Sequence, residues 1–395
     1  MKKITRMATL GVLLLAGATG TAFANGTSAP EPEPVRYMPP PPPPAAAPAP
    51  APAGLKFSGD AGVRLRDVSY FGNAADVADD DLVFQYRVRL KGAADLGDGY
   101  FFKTMLTNET IAGGWMSLDN HQDTFNLEVS NFYFGRMLEN CHYMVGRLPL
   151  NSFNNPIFDL TLSPSQPLGT PVFNLYMDRV FGLNYGTKLG DGMLNTVLVV
   201  LDNASHDNTP LEGDGLFNDG YALLLDYKVN LGDVTLEPMF LTTLTNADLM
   251  SQTITGAPAM GLGSEVTPYT FGALIGVPAG DAKLTFGAFY TNCDDTTPNG
   301  GPKVDYDGYL FRVKGEIGNF MAWYDYNRTT DKSYSSDIKY TNHFVWAQYK
   351  IPVYSSAAGS FTIQPTLRYL ASQADNGIAD DGQRLRSELW ATVTF

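Results

Sequence analysis

The chain lacks most of what common soluble classes require. It has only two cysteines, Cys141 and Cys293, in 395 residues, too few for a disulfide scaffold. Cations are scarce: 27 Lys+Arg against 41 Asp+Glu give a net charge of −14. That balance excludes a basic nucleic-acid surface, so no nucleic acid is expected as a partner. Charge of either sign is low, at 17% of residues. The one sizeable apolar run, Ala8 to Ala18, is too short for a membrane-spanning helix. The histidines, His121, His142, His206 and His343, form no i, i+4 pair, and no Gly-x-Ser-x-Gly elbow occurs. Cys141-His142 has Leu138 where a Cys-x-x-Cys-His haem attachment would need its first cysteine. The chain is therefore expected to be no enzyme, with no cofactor and no metal site.

What is abundant is glycine (39 residues) and aromatics (12%), a mixture that favours strands and turns over helices. Lys2, Lys3 and Arg6 precede the apolar run, and Ala22-Phe23-Ala24 follows it. This is the pattern of a secretory signal peptide over residues 1–24. Residues 25–54 form a Pro/Ala-rich linker containing Pro39 to Pro44. Proline fixes φ and donates no hydrogen bond, so a stiff polyproline II spacer is expected there. It could serve as a passive periplasmic linker or make a cell-wall contact.

Beyond Gly54 the chain alternates with period two. Leu82, Phe84, Tyr86, Val88 and Leu90 share one face of a strand, while Gln85, Arg87, Arg89 and Lys91 share the other. Sixteen such segments are expected, beginning near Phe57, Leu82, Tyr100, Phe125, His142, Arg179, Met193, Tyr221, Val234, Pro268, Ala282, Asp305, Phe320, Asn342, Phe361 and Gln383. Pro238 and Pro365 fall inside strands and are expected to mark bulges. Connections alternate in length. Short Gly-Asp or Gly-Asn turns at 97–98, 190–191, 232–233, 280–281 and 318–319 alternate with long polar loops. Sorting of loops by length fits a transmembrane antiparallel β-barrel over 55–395, with side chains alternating between lipid and lumen. Tyr100, Phe101, Tyr269, Tyr290 and Phe320 are candidates for its interfacial aromatic girdles.

With these features the chain resembles the sixteen-stranded general porins of Gram-negative outer membranes. The terminal Trp390-Ala391-Thr392-Val393-Thr394-Phe395 looks like the assembly signal of that class. The resemblance implies short periplasmic turns, long extracellular loops and a homotrimer in the cell outer membrane, in contact with its lipid and lipopolysaccharide. It also implies that the loop at 149–177 folds into the barrel and narrows the pore. Phe153, Asn154, Asn155, Phe158 and Asp159 are its candidate constriction residues. The loop acids of enteric porins are absent there.

Charge is sorted along the chain. The long loops are acidic and hold only Lys303, Lys332 and Lys339 as cations. The strands hold Arg64, Arg66, Arg87, Arg89, Lys91, Arg384 and Arg386 with lumen parity. Closure of the barrel should join these seven in one patch, extended by Arg368, and Arg147 is expected to face the lumen as well. A charge on the lipid face costs roughly 2–4 kcal/mol at mid-bilayer. These residues are therefore expected to line a pore and to make its wall basic, with Asp60, Glu109 and Glu128 as possible partners. The expected function is passive diffusion of small hydrophilic solutes or ions, leaning toward anions. The alternatives are a structural anchor acting through the Pro-rich arm, or the barrel sheath of a multi-protein conduit.

Overall fold

The computed structural model describes residues 54–72, 80–109, 114–117, 125–149, 174–175, 179–200, 220–244, 254–255, 267–296, 303–333, 335–375 and 382–395. The expected signal peptide, the linker and the five constriction-loop residues lie outside them. Ala53–Phe395 forms one compact unit.

Sixteen antiparallel strands close into a barrel, and no helix is present among the described residues. They are β1 (Leu55–Gly72), β2 (Asp80–Gly97), β3 (Tyr100–Thr107), β4 (Glu128–Met137), β5 (Cys141–Pro149), β6 (Arg179–Leu189), β7 (Gly192–Val200) and β8 (Tyr221–Leu231). The second half comprises β9 (Val234–Thr243), β10 (Tyr269–Ala279), β11 (Ala282–Thr296), β12 (Lys303–Ile317), β13 (Phe320–Asp331), β14 (Ile338–Tyr349, continued by Ile351–Ser356), β15 (Gly359–Ala374) and β16 (Gly382–Thr394). Each strand pairs with its sequence neighbours, and β16 returns to β1. Every backbone ladder is thereby satisfied without an open edge, as a lipid environment demands.

The short turns gather at one end of the barrel. Gly190, Gly232, Gly280 and Gly318 each take φ between 54° and 64° in them, a conformation that costs glycine nothing. At Gly97-Asp98-Gly99 even the aspartate has positive φ, 51°. The long connections leave from the opposite end. Within the second of them, Met116–Ser117 adds a two-residue strand beside Tyr86 and Gln85 and prolongs the wall beyond the end of β3.

Alternation of burial separates the two faces. On β12, Leu310 and Arg312 are buried, whereas Phe311 and Val313 between and beyond them are exposed. The outward face is apolar along most strands. Tyr100 and Phe320 lie on it near the turn end and Tyr269 near the loop end. Phe101 points inward instead, edge-on to the buried Tyr133. The two prolines make no bulge. Opposite Pro238 the β8–β9 ladder lapses between Asp226↔Met239 and Val229↔Leu236 and resumes in the same register. Opposite Pro365 the break between Tyr349 and Ile351 does the same. A missing N–H removes a bond without shifting the strands.

Candidate functional site

The seam where β16 meets β1 assembles the candidate site. Its register sets Arg64 against Trp390, Arg66 against Glu388 and Val68 against Arg386. On one side, β15 sets Arg368 against Arg386. On the other, β2 sets Gln85 against Arg64 and Arg89 against Asp60. All the charged residues named here share the inward face. Arg64, Arg66, Arg87, Arg89, Lys91, Arg368, Arg384 and Arg386 thus lie on one arc, made from strands at both ends of the chain.

Two carboxylates hold most of this arc together. Glu388, whose side chain is 0% exposed, accepts from Arg66 Nε at 2.9 Å, Arg368 Nη2 at 3.0 Å and Trp390 Nε1 at 2.9 Å. Arg64 Nη1 stands 3.6 Å from it, and Arg64 Nε donates to Gln85 Oε1 at 2.9 Å. Nearer the turn end, Asp60 takes Arg89 at 2.9 Å, Arg87 at 3.3 Å and Lys91 at 3.5 Å. Arg87 also reaches Glu109 at 3.2 Å. Charges removed from water need such pairing, because an isolated buried ion costs several kcal/mol.

Tryptophan supplies the remaining support. The chain has four, and all four stand along this arc. Ring centroids run Trp115 to Trp390 at 5.3 Å, Trp390 to Trp346 at 6.3 Å and Trp346 to Trp323 at 4.7 Å. Guanidiniums lie over them: Arg368 over Trp346 at 3.7 Å, Arg87 over Trp115 at 4.5 Å, Arg64 over Trp115 at 4.9 Å and Arg312 over Trp323 at 5.5 Å. An indole face attracts a cation, by about 2 kcal/mol where water is excluded. It does so without adding negative charge, so it orients these arginines without neutralising them.

Glu388 as a hub, Gln85 and the tryptophans escaped the sequence reading as members of the site. Inward parity was readable for Glu388, Trp390, Trp346 and Trp323. Trp115 gave no such signal, because it lies in a loop. Arg147 corrects an expectation. Its ladder partners Phe132 and Phe181 are exposed on the outer face, its guanidinium lies 5.4 Å over the Phe181 ring, and Nη1 donates to the Val129 carbonyl at 2.6 Å. The inward place is taken by the next residue, Leu148, which is fully buried.

The facing wall differs in chemistry. Inward positions on β5 to β9 include Leu148, Val180, Val197, Val199, Leu224 and Leu241, all buried. Amid them Glu237 pairs with Lys228 at 3.2 Å, beside Asp226. Farther round, Arg312 and Asp325 form a two-pronged bond, with both contacts at 2.7 Å and Asp325 fully buried. Replacing Asp325 by alanine is expected to cost about 3–5 kcal/mol, the penalty for stranding a buried partner. It should appear as a lower urea midpoint for the folded barrel, and an unchanged midpoint would refute the pairing. At the loop end the charge is acidic. Lys303 there donates to Asp305 at 2.6 Å and lies 3.0 Å from Asp294, bonds that raise its pKa above the ordinary lysine value.

No protein-family model matches the chain, and no curated protein matches it. Among solved structures its fold has clear counterparts. A loop-deletion mutant of OmpT, an outer membrane protein of Vibrio cholerae, matches with a TM-score of 0.54 at 11% identity, over 86% of this chain and 99% of that one. In-vitro folded OmpT in its trimer form matches with a TM-score of 0.52 at 10% identity, over 87% and 99%. The anion-selective porin from Comamonas acidovorans gives 0.52 at 12% identity, over 87% and 100%. At these identities the likeness is one of fold. In architecture the chain is a closed, sixteen-stranded β-barrel of the outer-membrane porin type.

Proposed function

We propose that the protein is a passive channel for small hydrophilic solutes or ions, with a lumen that favours anions. The observation carrying this reading is the charge imbalance on the closure arc. Among the described residues of the arc, six inward cations (Arg64, Arg66, Arg87, Arg89, Lys91 and Arg368) share three carboxylates, Asp60, Glu109 and Glu388, and Arg384 and Arg386 lie on the same inward face. A low-dielectric wall focuses such a field into the pore and raises the local concentration of anions. Transport would be driven by the solute gradient, with no chemistry. The described histidines fit that reading: His142 bonds Asn184 and His343 bonds the Tyr324 hydroxyl, each at 2.8 Å.

The 149–177 loop is the proposed constriction. Its roots support this: Leu148 and Val180 are buried on the inward face and begin the apolar inward wall of β5 to β9. Phe153, Ile157, Phe158 and Leu160 have the matching apolar character, and Asp159 is the one charge in the loop. The same reading includes a homotrimer, contact with outer-membrane lipid and lipopolysaccharide, and a periplasmic linker over residues 25–54.

Planar-bilayer recording tests it. Pure protein should give stepwise channels whose zero-current potential in a KCl gradient has the sign of an anion-selective pore. Deleting residues 151–173 should raise the unit conductance. A cation-selective reversal potential would sink the basic-wall argument.

A further inference from the structure

Positive charge is unevenly balanced along the arc. Near the turn end, Arg87, Arg89 and Lys91 share Asp60 and Glu109. Toward the loop end, Arg64, Arg66 and Arg368 converge on one inward carboxylate, Glu388, and Arg386 stands beside them. That carboxylate is already occupied by Arg66, Arg368 and the Trp390 indole, with Arg64 close by. Arg386 is not among its partners.

The surroundings of Arg386 make this consequential. Its ladder partner across β15 is Arg368, and across the seam it is Val68. Arg384 stands two residues away on the same inward face, and Arg66 lies diagonally across the seam. The buried Nε of Arg386 has no hydrogen-bond acceptor. Like charges opposed on a sheet repel, and a buried donor without an acceptor carries a desolvation cost. A negatively charged ligand would remove both penalties together.

We propose that the corner formed by Arg386, Arg368, Arg384 and Arg66 binds a small divalent oxyanion with the chemistry of sulfate or phosphate, admitted from the loop end. The proposal rests on the channel reading and gives its anion preference a location. Guanidiniums suit this ligand because their planar forks meet oxyanion pairs with two parallel bonds. Arg368 is held in advance, 3.7 Å over the Trp346 ring and 3.0 Å from Glu388, so less freedom is lost on binding. Several fixed cations around one carboxylate favour two negative charges over one. Within a conducting lumen, a bound oxyanion would impede chloride.

The experiment records single channels of the full-length protein in KCl while potassium sulfate, phosphate or acetate is added at constant ionic strength. Chloride current should fall with saturation for sulfate and phosphate, at concentrations about tenfold or more below those needed for acetate. Arg386→Gln should raise the midpoint about tenfold or more, the worth of one charge-assisted bond. Arg386→Lys should fall between, keeping the charge and losing the fork. Wild-type channels without saturating block, acetate blocking as well as sulfate, or an unmoved midpoint in Arg386→Gln would each overturn the site. If no channels form, the channel reading fails by itself. Calorimetric titration of sulfate into the detergent-solubilised protein and its Arg386→Gln variant then decides the site: binding weakened in the variant supports it, and no binding to the wild type overturns it.

Discussion

Replacing Glu388 with glutamine should both loosen the barrel and make its pore more positive. The carboxylate is fully buried and accepts from Arg66, Arg368 and Trp390 within 3.0 Å. Removing one member of a buried ion network leaves the others desolvated and unpaired, a loss of about 3–5 kcal/mol. Glutamine keeps the shape and one acceptor oxygen, so the effect would come from lost charge more than from a cavity. The folded fraction, followed by gel mobility against urea concentration, should fall at a clearly lower midpoint. Channels that still insert should reverse at a more anion-selective potential. Removing Arg66 as well should recover part of the stability, because one stranded guanidinium goes with it, and the coupling energy between the two sites should exceed about 1 kcal/mol. Additive losses in the double variant, or selectivity moving toward cations, would show that Glu388 does not organise the arc.

The barrel was readable because its physics repeats. Period-two alternation from Phe57 onward, with short glycine turns between long loops, locates all sixteen strands, and the observed starts fall within a few residues of those expected. Lumen parity was equally readable for Arg64, Arg87, Arg368 and Arg386. What alternation lacks is register and partnership. It places Glu388 on the inward face, but nothing in it says that Arg66 stands opposite and Arg368 within reach. Those facts depend on how β16 slides against β1, and hydrogen bonds across the seam fix that. Arg147 shows the complementary weakness. Its strand is short, and the preceding Gly146 has a φ of 130°. A one-residue error in phase exchanges the two faces, and the apolar pair Leu148 and Val180 claims the inner one. Trp115 lay beyond any periodic argument, because Met116–Ser117 joins the wall only where β3 has ended. The prolines misled for a different reason: a residue without an N–H was expected to bend its strand, and here it only interrupts a ladder.

A branched side chain at Gly59 should prevent the barrel from closing. Gly59 donates to the Phe395 carbonyl at 2.8 Å and accepts from the Phe395 N–H at 3.0 Å, the pair that ends the seam. A Cβ built at Gly59 would stand 2.5 Å from the Arg89 carbonyl oxygen and 2.8 Å from two ring atoms of Phe395. The Phe395 ring could swing aside, but the Arg89 carbonyl is backbone on β2, and moving it parts the ladder between β1 and β2. Overpacking usually costs about 1–3 kcal/mol where side chains can give way, and here the carbonyl cannot. Gly59→Val should therefore yield little protein with the mobility of a folded barrel. Gly276→Ala is the control, because its Cβ would meet nothing nearer than 3.6 Å, and alanine in a strand avoids the entropic cost of glycine. It should fold at least as well as the wild type. Full folding of Gly59→Val would mean that the seam tolerates a shifted register. The consequence for function follows from position: the seam that Gly59 and Phe395 finish is the one that sets Arg66 against Glu388 and brings Arg386 beside Arg368. Closing the barrel and assembling the arc are one event, so any Gly59 variant that does insert with a displaced seam should also lose the anion preference proposed for the channel.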